Sequence, residues 1–214
     1  RLIRAVSPDV PIHASTQMTL ACAESIRAVE PLGIRRVVVP RELSLGEIAT
    51  LARSTRVELE VFVHGALCLS YGGQCLASAA IGGRSANRGR CAQPCRLPYA
   101  PRLEGRPISG PRAPYPLSPN DLAAWRLVPE LLRAGVAALK IEGRLKSAEY
   151  VARATRLYRQ AIDAALSGRA FEPAPGELDE LDVRFSRGTC EGWLPGRGQR
   201  AIVTGQSSAH CGVR

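Results

Sequence analysis

The sequence predicts an α/β fold, a partial TIM-type (β/α) barrel followed by the start of a small β-rich C-terminal module. Three observations support this prediction. Short apolar strands alternate with helical segments over the first third of the chain, as in parallel βα units. The alternation returns after residue 118. It gives four units in all, which is about half of an eight-stranded barrel. A small open α/β sheet is the competing architecture.

The first two units are indicated by strand-like runs and by helix stop signals. The run VPIHA, residues 10–14, contains a predicted strand that ends at His13, and a helix follows over about residues 16–29. Pro31 and Gly33 end that helix, because proline cannot continue a helix and glycine favours its C-terminus. RRVVVP, residues 35–40, is the second predicted strand.

The second helix has a defined beginning. Ser44 and Glu47 form a capping box, which predicts a helix from there to about residue 54. ELEVFV, residues 58–63, is the third strand, and residues 64–116 are rich in Gly, Ser, Arg and Pro and predict no regular element. About 50 residues without regular structure are uncommon in a compact domain unless they are functional. We therefore expect metal ligation to hold this Cys-rich insertion.

Regular elements return after the insertion. Ser118 is the predicted N-cap of a helix through residue 132, and Gly135 marks its C-terminal stop. VAALKI, residues 136–141, is the next strand. Ser147 opens a long helix with apolar residues at helical spacing, which ends at Gly168.

The domain boundaries follow from these elements. We expect the partial barrel over residues 1–170, with the insertion at 64–116, a Pro-rich acidic linker at 171–180 and the β-rich module from 181 to 214. The last segment is too short to close a core of its own. Because residue 1 is Arg and Met18 lies within a predicted helix, we expect the natural start of the protein to lie upstream.

Composition limits the class of protein. With 45% hydrophobic and 22% charged residues, the chain resembles soluble globular proteins, which excludes disorder and collagen-like repeats. No apolar run reaches the roughly 18 residues of a membrane span, and the N-terminal stretch lacks the apolar core of a secretory signal. We expect a cytoplasmic protein with no membrane partner. The net charge of +10 favours anionic partners, although a coding bias towards Arg explains it equally well.

Four of the seven cysteines lie in one short window. In a cytosolic protein such a group indicates metal or redox chemistry before disulfides. The spacing C-x6-C-x15-C-x3-C fits neither a zinc ribbon nor a ferredoxin, but an all-thiol set favours an iron–sulfur cluster over catalytic zinc. Buried reduced thiols are the alternative. The candidate ligands are Cys68, Cys75, Cys91 and Cys95.

Two long motifs carry a family resemblance. They are EVFVHGALCLSYGGQCLASAAIGGRSANRGRCAQPCRLPY and LSPNDLAAWRLVPELLRAGVAALKIEGRLKSAEYVARATRLYRQAID. Both resemble the signature regions of peptidase family U32, the collagenase-like family. HASTQ, VVVPRELSLGEI and SRGTCEGWLPG also resemble segments of that family, so the likeness covers nearly the whole chain.

The resemblance implies a cofactor and a reaction. The better understood members are oxygen-independent hydroxylation proteins with a four-iron–four-sulfur (4Fe-4S) cluster. Some act on a tRNA or rRNA base, with prephenate implicated as the hydroxyl source. By this resemblance Cys68, Cys75 and Cys91 match cluster ligands, and Cys95 matches a ligand in part of the family. Many relatives carry a further cysteine where this chain has Ala123. Either Cys95 completes the set, or the cluster has three ligands, or it is lost.

Polar residues near strand ends are the candidates for acid–base catalysis. Glu60 and His64 flank the first thiol, and Glu142 follows the predicted strand at 136–141. Carboxylates and imidazoles in such positions are suited to giving and taking protons. A structural role for His64 and a surface ion pair for Glu142 are the alternatives.

Basic residues are the candidates for substrate binding. Lys140, Arg144 and Lys146 suit a small dicarboxylate such as prephenate, or RNA phosphate, because guanidinium binds carboxylates bidentately. Arg84 and Arg88 interleave with the thiols and are placed to follow a phosphate backbone. Solvated charges that offset anionic thiolates are the alternative.

The leading hypothesis is iron–sulfur-dependent, oxygen-independent hydroxylation of a base in tRNA or rRNA, with a small anionic co-substrate and a partner protein of the same family. A U32-type peptidase is the first alternative, and it rests on the family's name because the chain has no Ser–His–Asp order and no HExxH motif. The second alternative is a non-catalytic fragment that binds RNA or a partner, which Ala123 favours.

Overall fold

The computed structural model describes residues 2–108, 114–144, 146–178, 181, 188–196 and 202–203. Its strands are β1 (Ile12–Ala14), β2 (Ile34–Val38), β3 (Glu58–Ala66), β4 (Arg102–Leu103), β5 (Arg106–Pro107), β6 (Asp121–Ala123), β7 (Ala138–Ile141) and β8 (Thr189–Cys190). Its α-helices are α1 (Leu2–Val6), α2 (Ala23–Val29), α3 (Leu45–Ser54), α4 (Ala77–Gly82), α5 (Val128–Arg133) and α6 (Ala148–Leu166).

Four of these strands form a parallel sheet in the order β1-β2-β3-β7. Val37 pairs with Leu59 and Val61 pairs with Leu139, so apolar residues of neighbouring strands lie side by side. Parallel neighbours need a crossover connection, and helices α2 and α3 lie between the first three strands in the sequence. The predicted α/β class with parallel strands is confirmed.

The remaining part of the sheet is formed at the end of β3. Strand β6 runs antiparallel to the last residues of β3, and β8 pairs with β6. Leu194 is buried, and its carbonyl accepts a hydrogen bond from the backbone N–H of Leu45 at 2.9 Å. The described residues of the predicted C-terminal module therefore pack on the same sheet as the preceding segment.

Two helix starts predicted from the sequence are confirmed. The Ser44 hydroxyl accepts from the backbone N–H of Glu47 at 3.3 Å, and the Glu47 carboxylate accepts from the N–H of Ser44 at 2.8 Å. At the start of α6, the Ser147 hydroxyl accepts from the N–H of Tyr150 at 3.2 Å. These bonds satisfy N–H groups that have no partner in the first turn of a helix.

The continuous helix predicted over residues 16–29 is wrong. A single 3-10 turn at Thr16–Met18 comes first, and Thr19 then takes a left-handed backbone with φ of 53° before α2 begins. The Thr19 hydroxyl donates to the carbonyl of Gly72 at 2.8 Å. A contact with the distant insertion thus accompanies the break, and helical periodicity could not reveal it.

The helix predicted from Ser118 to residue 132 is wrong in its first half. Residues 121–123 form strand β6, a 3-10 turn at Trp125–Leu127 follows, and only then does α5 begin. Asp121 pairs with Ala66 and Leu122 pairs with Gly65. This tertiary pairing overrides the local helical pattern.

The insertion is also more ordered than the sequence predicts. Strand β3 continues to Ala66, because its last residues pair with β6. Helix α4 and the short β4–β5 hairpin lie within residues 64–116 as well. The prediction that this segment contains no regular element is therefore wrong for these three stretches.

Helix α6 covers the sheet with one apolar face. Ala154, Leu157, Tyr158 and Ala161 are buried in the core, whereas Arg159 lies on the exposed side. Among the helices that the structure describes, none is both long enough and apolar enough to cross a bilayer.

Candidate functional site

A cavity of about 540 Å³ lies at the carboxyl ends of the parallel strands. Its wall includes residues that follow each of these strands: Ser15 after β1, Arg41 after β2, Cys68 after β3 and Glu142 after β7. Ligands of parallel α/β folds bind at this edge. All four predicted ligands, Cys68, Cys75, Cys91 and Cys95, line this one space, which is named the cysteine cavity here.

The loop that carries Cys68 and Cys75 is held by its backbone. The Glu42 carboxylate accepts from the N–H of Gly72 at 2.5 Å, and the Thr19 hydroxyl donates to the carbonyl of Gly72 at 2.8 Å. Gly73 has φ of +76°, and a Cβ there would lie 2.8 Å from the carbonyl oxygen of Gln17. Glycine is required for this close approach.

The loop that carries Cys91 is held in the same way. The backbone N–H of Ala92 donates to the Ser78 hydroxyl at 2.9 Å. Arg144 donates to the carbonyl of Gly89 and, at 3.5 Å, to that of Cys91. The predicted substrate-binding residue Arg144 thus lines the cavity and also holds the cysteine loop in place.

The four thiols are free; Cys75, Cys91 and Cys95 are partly buried, and Cys68 is exposed. The four cysteines make no disulfide in the described residues. Burial raises the pKa of the Cys68 and Cys95 thiols, while Arg41 beside Cys68 and Arg96 beside Cys95 act in the opposite direction. Within the described ranges, no three His, Cys, Asp or Glu side chains are already gathered as a metal site. Ligation by all four thiols therefore requires them to converge further.

Arg96 is a buried structural cation. Only 5% of it is exposed, and its guanidinium donates to the carbonyl of Leu67 at 2.7 Å, to the Ser118 hydroxyl at 3.2 Å and to the carbonyl of Pro119. These partners come from the end of β3 and from the segment that leads into β6. Arg96 therefore ties the cysteine loop to the sheet.

Glu142 and Lys140, two of the predicted site residues, line the cysteine cavity. Both already have partners within the protein. Glu142 accepts from the backbone N–H of Arg144 at 3.1 Å. Lys140 donates to Glu60 at 2.7 Å. Glu60 is 8% exposed and is not among the residues that line the cavity. Its position favours a structural ion pair, and its role in catalysis stays a prediction.

His64 lies in the core and is not among the residues that line the cavity. Its ring packs against Tyr150 and Tyr158, with Nδ1 3.4 Å from the Tyr158 hydroxyl. Burial lowers the pKa of His64 from 6.5 to about 4, and the charge of Lys146 adds to this effect. The setting favours a neutral structural imidazole, and acid–base catalysis by His64 stays a prediction.

The low pKa of His64 predicts a loss of stability in acid. Below pH 6.5 the unfolded chain takes up a proton that the folded chain does not take up until about pH 4, so the folded state loses stability as the pH falls through this range. We expect the free energy of unfolding to drop by about 2 kcal/mol between pH 7 and pH 5. Urea denaturation at the two pH values measures this drop. It should shrink in His64→Gln and persist in His13→Gln, since His13 is exposed; an equal drop in both variants would contradict the assignment.

The remaining predicted basic residues lie outside the cavity wall. Arg84 and Arg88 are exposed on the insertion, before and within a 3-10 turn. The Lys146 ammonium lies 4.7 Å from the centre of the Tyr150 ring. None of these three is among the residues that line the cavity.

Sequence reasoning missed Arg41, a largely buried residue of the cavity wall. Its guanidinium stacks 3.5 Å from the centre of the Phe62 ring, and Nη2 lies 3.5 Å from Glu142. The signal was present, because Arg41 follows the predicted strand at 35–40 directly. The rule that polar residues at strand ends build sites, applied to β3 and β7, applies to this strand as well.

Comparison with known proteins identifies the family. The family model described as Peptidase family U32 matches residues 1–203. The tRNA hydroxylation protein P1 of Bacillus subtilis is 36% identical over 203 residues, covering 90% of this chain and 47% of that protein. No solved structure matches significantly.

Two further relatives carry different names. The 23S rRNA 5-hydroxycytidine C2501 synthase of Escherichia coli is 41% identical over 163 residues, covering 76% of this chain and 25% of that protein. A protein of Porphyromonas gingivalis named Collagenase is 34% identical over 201 residues, covering 88% of this chain and 48% of that protein. The chain thus spans about half or less of the curated relatives that it matches. From the family match over nearly its whole length, the chain belongs to peptidase family U32.

Proposed function

We propose that this chain takes part in an iron–sulfur-dependent, oxygen-independent hydroxylation of an RNA base, in tRNA or rRNA. The observation that carries the proposal is that Cys68, Cys75, Cys91 and Cys95 all line one cavity at the carboxyl edge of the sheet. The names of the relatives that act on tRNA and rRNA supply the substrate class.

The donor set fits a 4Fe-4S cluster. The thiols are free, and the backbone N–H of Gln93 donates to the Cys91 sulfur at 3.3 Å, a contact that is common around cluster sulfurs. Cys95 lines the cavity, whereas Ala123 pairs with His64 in the sheet and is not part of the wall. This placement favours Cys95 as the fourth ligand. When bound, such a cluster supplies electron transfer or a Lewis-acidic iron.

The chain's own residues have separate tasks in this proposal. Arg96 and Arg144 hold the cysteine loops by donating hydrogen bonds to backbone carbonyls, that of Leu67 for Arg96 and those of Gly89 and Cys91 for Arg144. Arg84 and Arg88, which are exposed on the insertion, contact the RNA backbone. Prephenate is the proposed anionic co-substrate, held among the cationic side chains of the wall.

Two broader expectations belong to the same proposal. The parallel order β1-β2-β3-β7 is the order of four successive strands in a (β/α) barrel, and we propose that the sheet is half of such a barrel. A cytoplasmic setting is part of the proposal, because the RNA substrates of the named relatives are found there. A partner protein of the same family is part of it as well.

Metal content tests the proposal. After anaerobic reconstitution, we expect a brown protein with about four iron and four sulfide per chain. Single Cys→Ser changes at positions 68, 75 and 91 should lower iron to less than half. Cys22→Ser is the matched control, because Cys22 is exposed and not among the lining residues. A wild-type protein that stays colourless and iron-free would overturn the cluster.

The reaction is tested in cells. Deletion of the intact gene should remove one hydroxylated nucleoside from total tRNA or rRNA, detected by mass spectrometry, and the wild-type gene should restore it. A gene carrying Cys91→Ser should fail to restore it. An unchanged nucleoside profile together with gelatin hydrolysis that survives iron chelation would favour the peptidase that the Porphyromonas relative's name suggests.

A further inference from the structure

Arg41 is the least satisfied cation of the cysteine cavity. In the described part of the chain, its ion pair is the contact of Nη2 with Glu142 at 3.5 Å, which is longer than a good hydrogen bond. Its Nε is buried without a hydrogen-bond partner. A buried guanidinium with unused donors is costly unless an anion completes its bonding.

The other cations of the wall are occupied by the protein. Lys140 is paired with Glu60 at 2.7 Å. Arg96 donates to carbonyl and hydroxyl groups, and Arg144 donates to the loop backbone. The stacking of Arg41 on Phe62 fixes the plane of its guanidinium without using any of its N–H groups.

The charge of the cavity favours an anion. Four cations, Arg41, Arg96, Lys140 and Arg144, face two carboxylates, Glu42 and Glu142, on the wall. Burial lowers the pKa of Arg41, and the nearby Cys68, Glu142 and Glu42 act in the opposite direction.

We propose that the cysteine cavity binds a small carboxylic acid through the guanidinium of Arg41, with the carbon skeleton of the acid against apolar wall residues such as Leu69 and Leu117. This inference rests on the proposed function and assigns the carboxylate of its co-substrate to Arg41. A planar guanidinium recognises the planar carboxylate with two parallel hydrogen bonds. The Arg41 side chain is only 14% exposed, so it is unsuited to the backbone phosphates of a folded RNA.

Glu142 is the competitor of the incoming acid. Its Oε2 lies beside Arg41, and its Oε1 is held by the N–H of Arg144. A bound carboxylate therefore shares Arg41 with Glu142 and is repelled by it. Removing this negative charge should tighten the binding of an anion at Arg41.

Binding to the iron-free chain tests the inference. We expect benzoate, titrated by calorimetry or by NMR chemical shifts, to bind the wild-type chain, while neutral benzamide binds at least tenfold more weakly. Arg41→Gln should weaken benzoate binding at least tenfold, and Glu142→Gln should strengthen it severalfold. Arg159→Gln is the matched control, because Arg159 pairs with Asp163 on the exposed face of α6; it should bind as the wild type does.

Several results would overturn the inference. They are equal binding of benzoate and benzamide, benzoate binding that is unaffected in Arg41→Gln, and inorganic phosphate that displaces benzoate at equal concentration. Circular dichroism checks that Arg41→Gln is folded. If that variant does not fold, Glu142→Gln provides the test, because weaker or unchanged benzoate binding in Glu142→Gln contradicts the inference. The binding experiment uses the iron-free chain, so its result does not depend on whether the chain binds a cluster. Failure of the cluster proposal and failure of this inference are therefore distinguishable.

Discussion

Gly65→Ala is expected to lower the free energy of unfolding by more than about 3 kcal/mol, because it combines backbone strain with overlap of atoms. Gly65 has φ of +95°, a backbone conformation that residues other than glycine rarely adopt. A Cβ there would overlap the backbone oxygen of Glu142 and would lie 3.0 Å from the Glu142 Cβ. The strand end that leads to Cys68 and the strand end that leads to Glu142 would be forced apart.

Urea denaturation with a second glycine as control measures this effect. Gly46 lies in α3, and a Cβ there meets no atom within 4 Å. Gly46→Ala should therefore leave stability unchanged or raise it by up to about 1 kcal/mol, since alanine favours helix. If Gly65→Ala unfolds at the same urea concentration as the wild type, the close approach of β3 and β7 is not as described.

Arg96→Met is the second change with a large expected effect. It keeps an unbranched apolar side chain and removes the donors to Leu67, Ser118 and Pro119. Buried carbonyls left without donors each cost about 1–3 kcal/mol, so we expect a total loss of about 3–5 kcal/mol. The iron content after reconstitution should fall as well, because the anchor of the cysteine loop is lost.

The control for Arg96→Met is Arg90→Met, in the same basic segment. Arg90 is exposed, so we expect Arg90→Met to change the free energy of unfolding by no more than about 0.5 kcal/mol, as is typical of surface substitutions. Equal stability of the two variants would show that burial of Arg96 contributes nothing.

The elements that the sequence predicts correctly are those specified locally. Helix α3 carries its own capping box, and α6 carries its own N-cap and a long apolar stripe, so neither needs distant contacts to be recognised. Strand β6 and the break at Thr19 depend on partners far along the chain, Gly65 for one and Gly72 for the other. Local periodicity holds no information about such partners.

The candidate site also combines features that the local sequence predicts with features that depend on distant residues. That Cys68 follows a strand end was predictable from the strand pattern, and the four cysteines in one short window suggested that they share one site. The second task of Arg144 was not, because a side chain's choice between substrate and the protein's own carbonyls depends on the path of the loop. The burial of His64 likewise depends on Tyr158 from α6, far away in sequence.

The anchors of the cysteine loops bind main-chain atoms. Glu42 and Thr19 hold the amide and the carbonyl of Gly72, and Arg144 holds the carbonyls of Gly89 and Cys91. The course of the loop is thus set independently of most side chains that it displays. Substitutions at exposed positions between the thiols, such as Arg84 and Arg88, should therefore change the chemistry of the rim while the scaffold beneath remains intact.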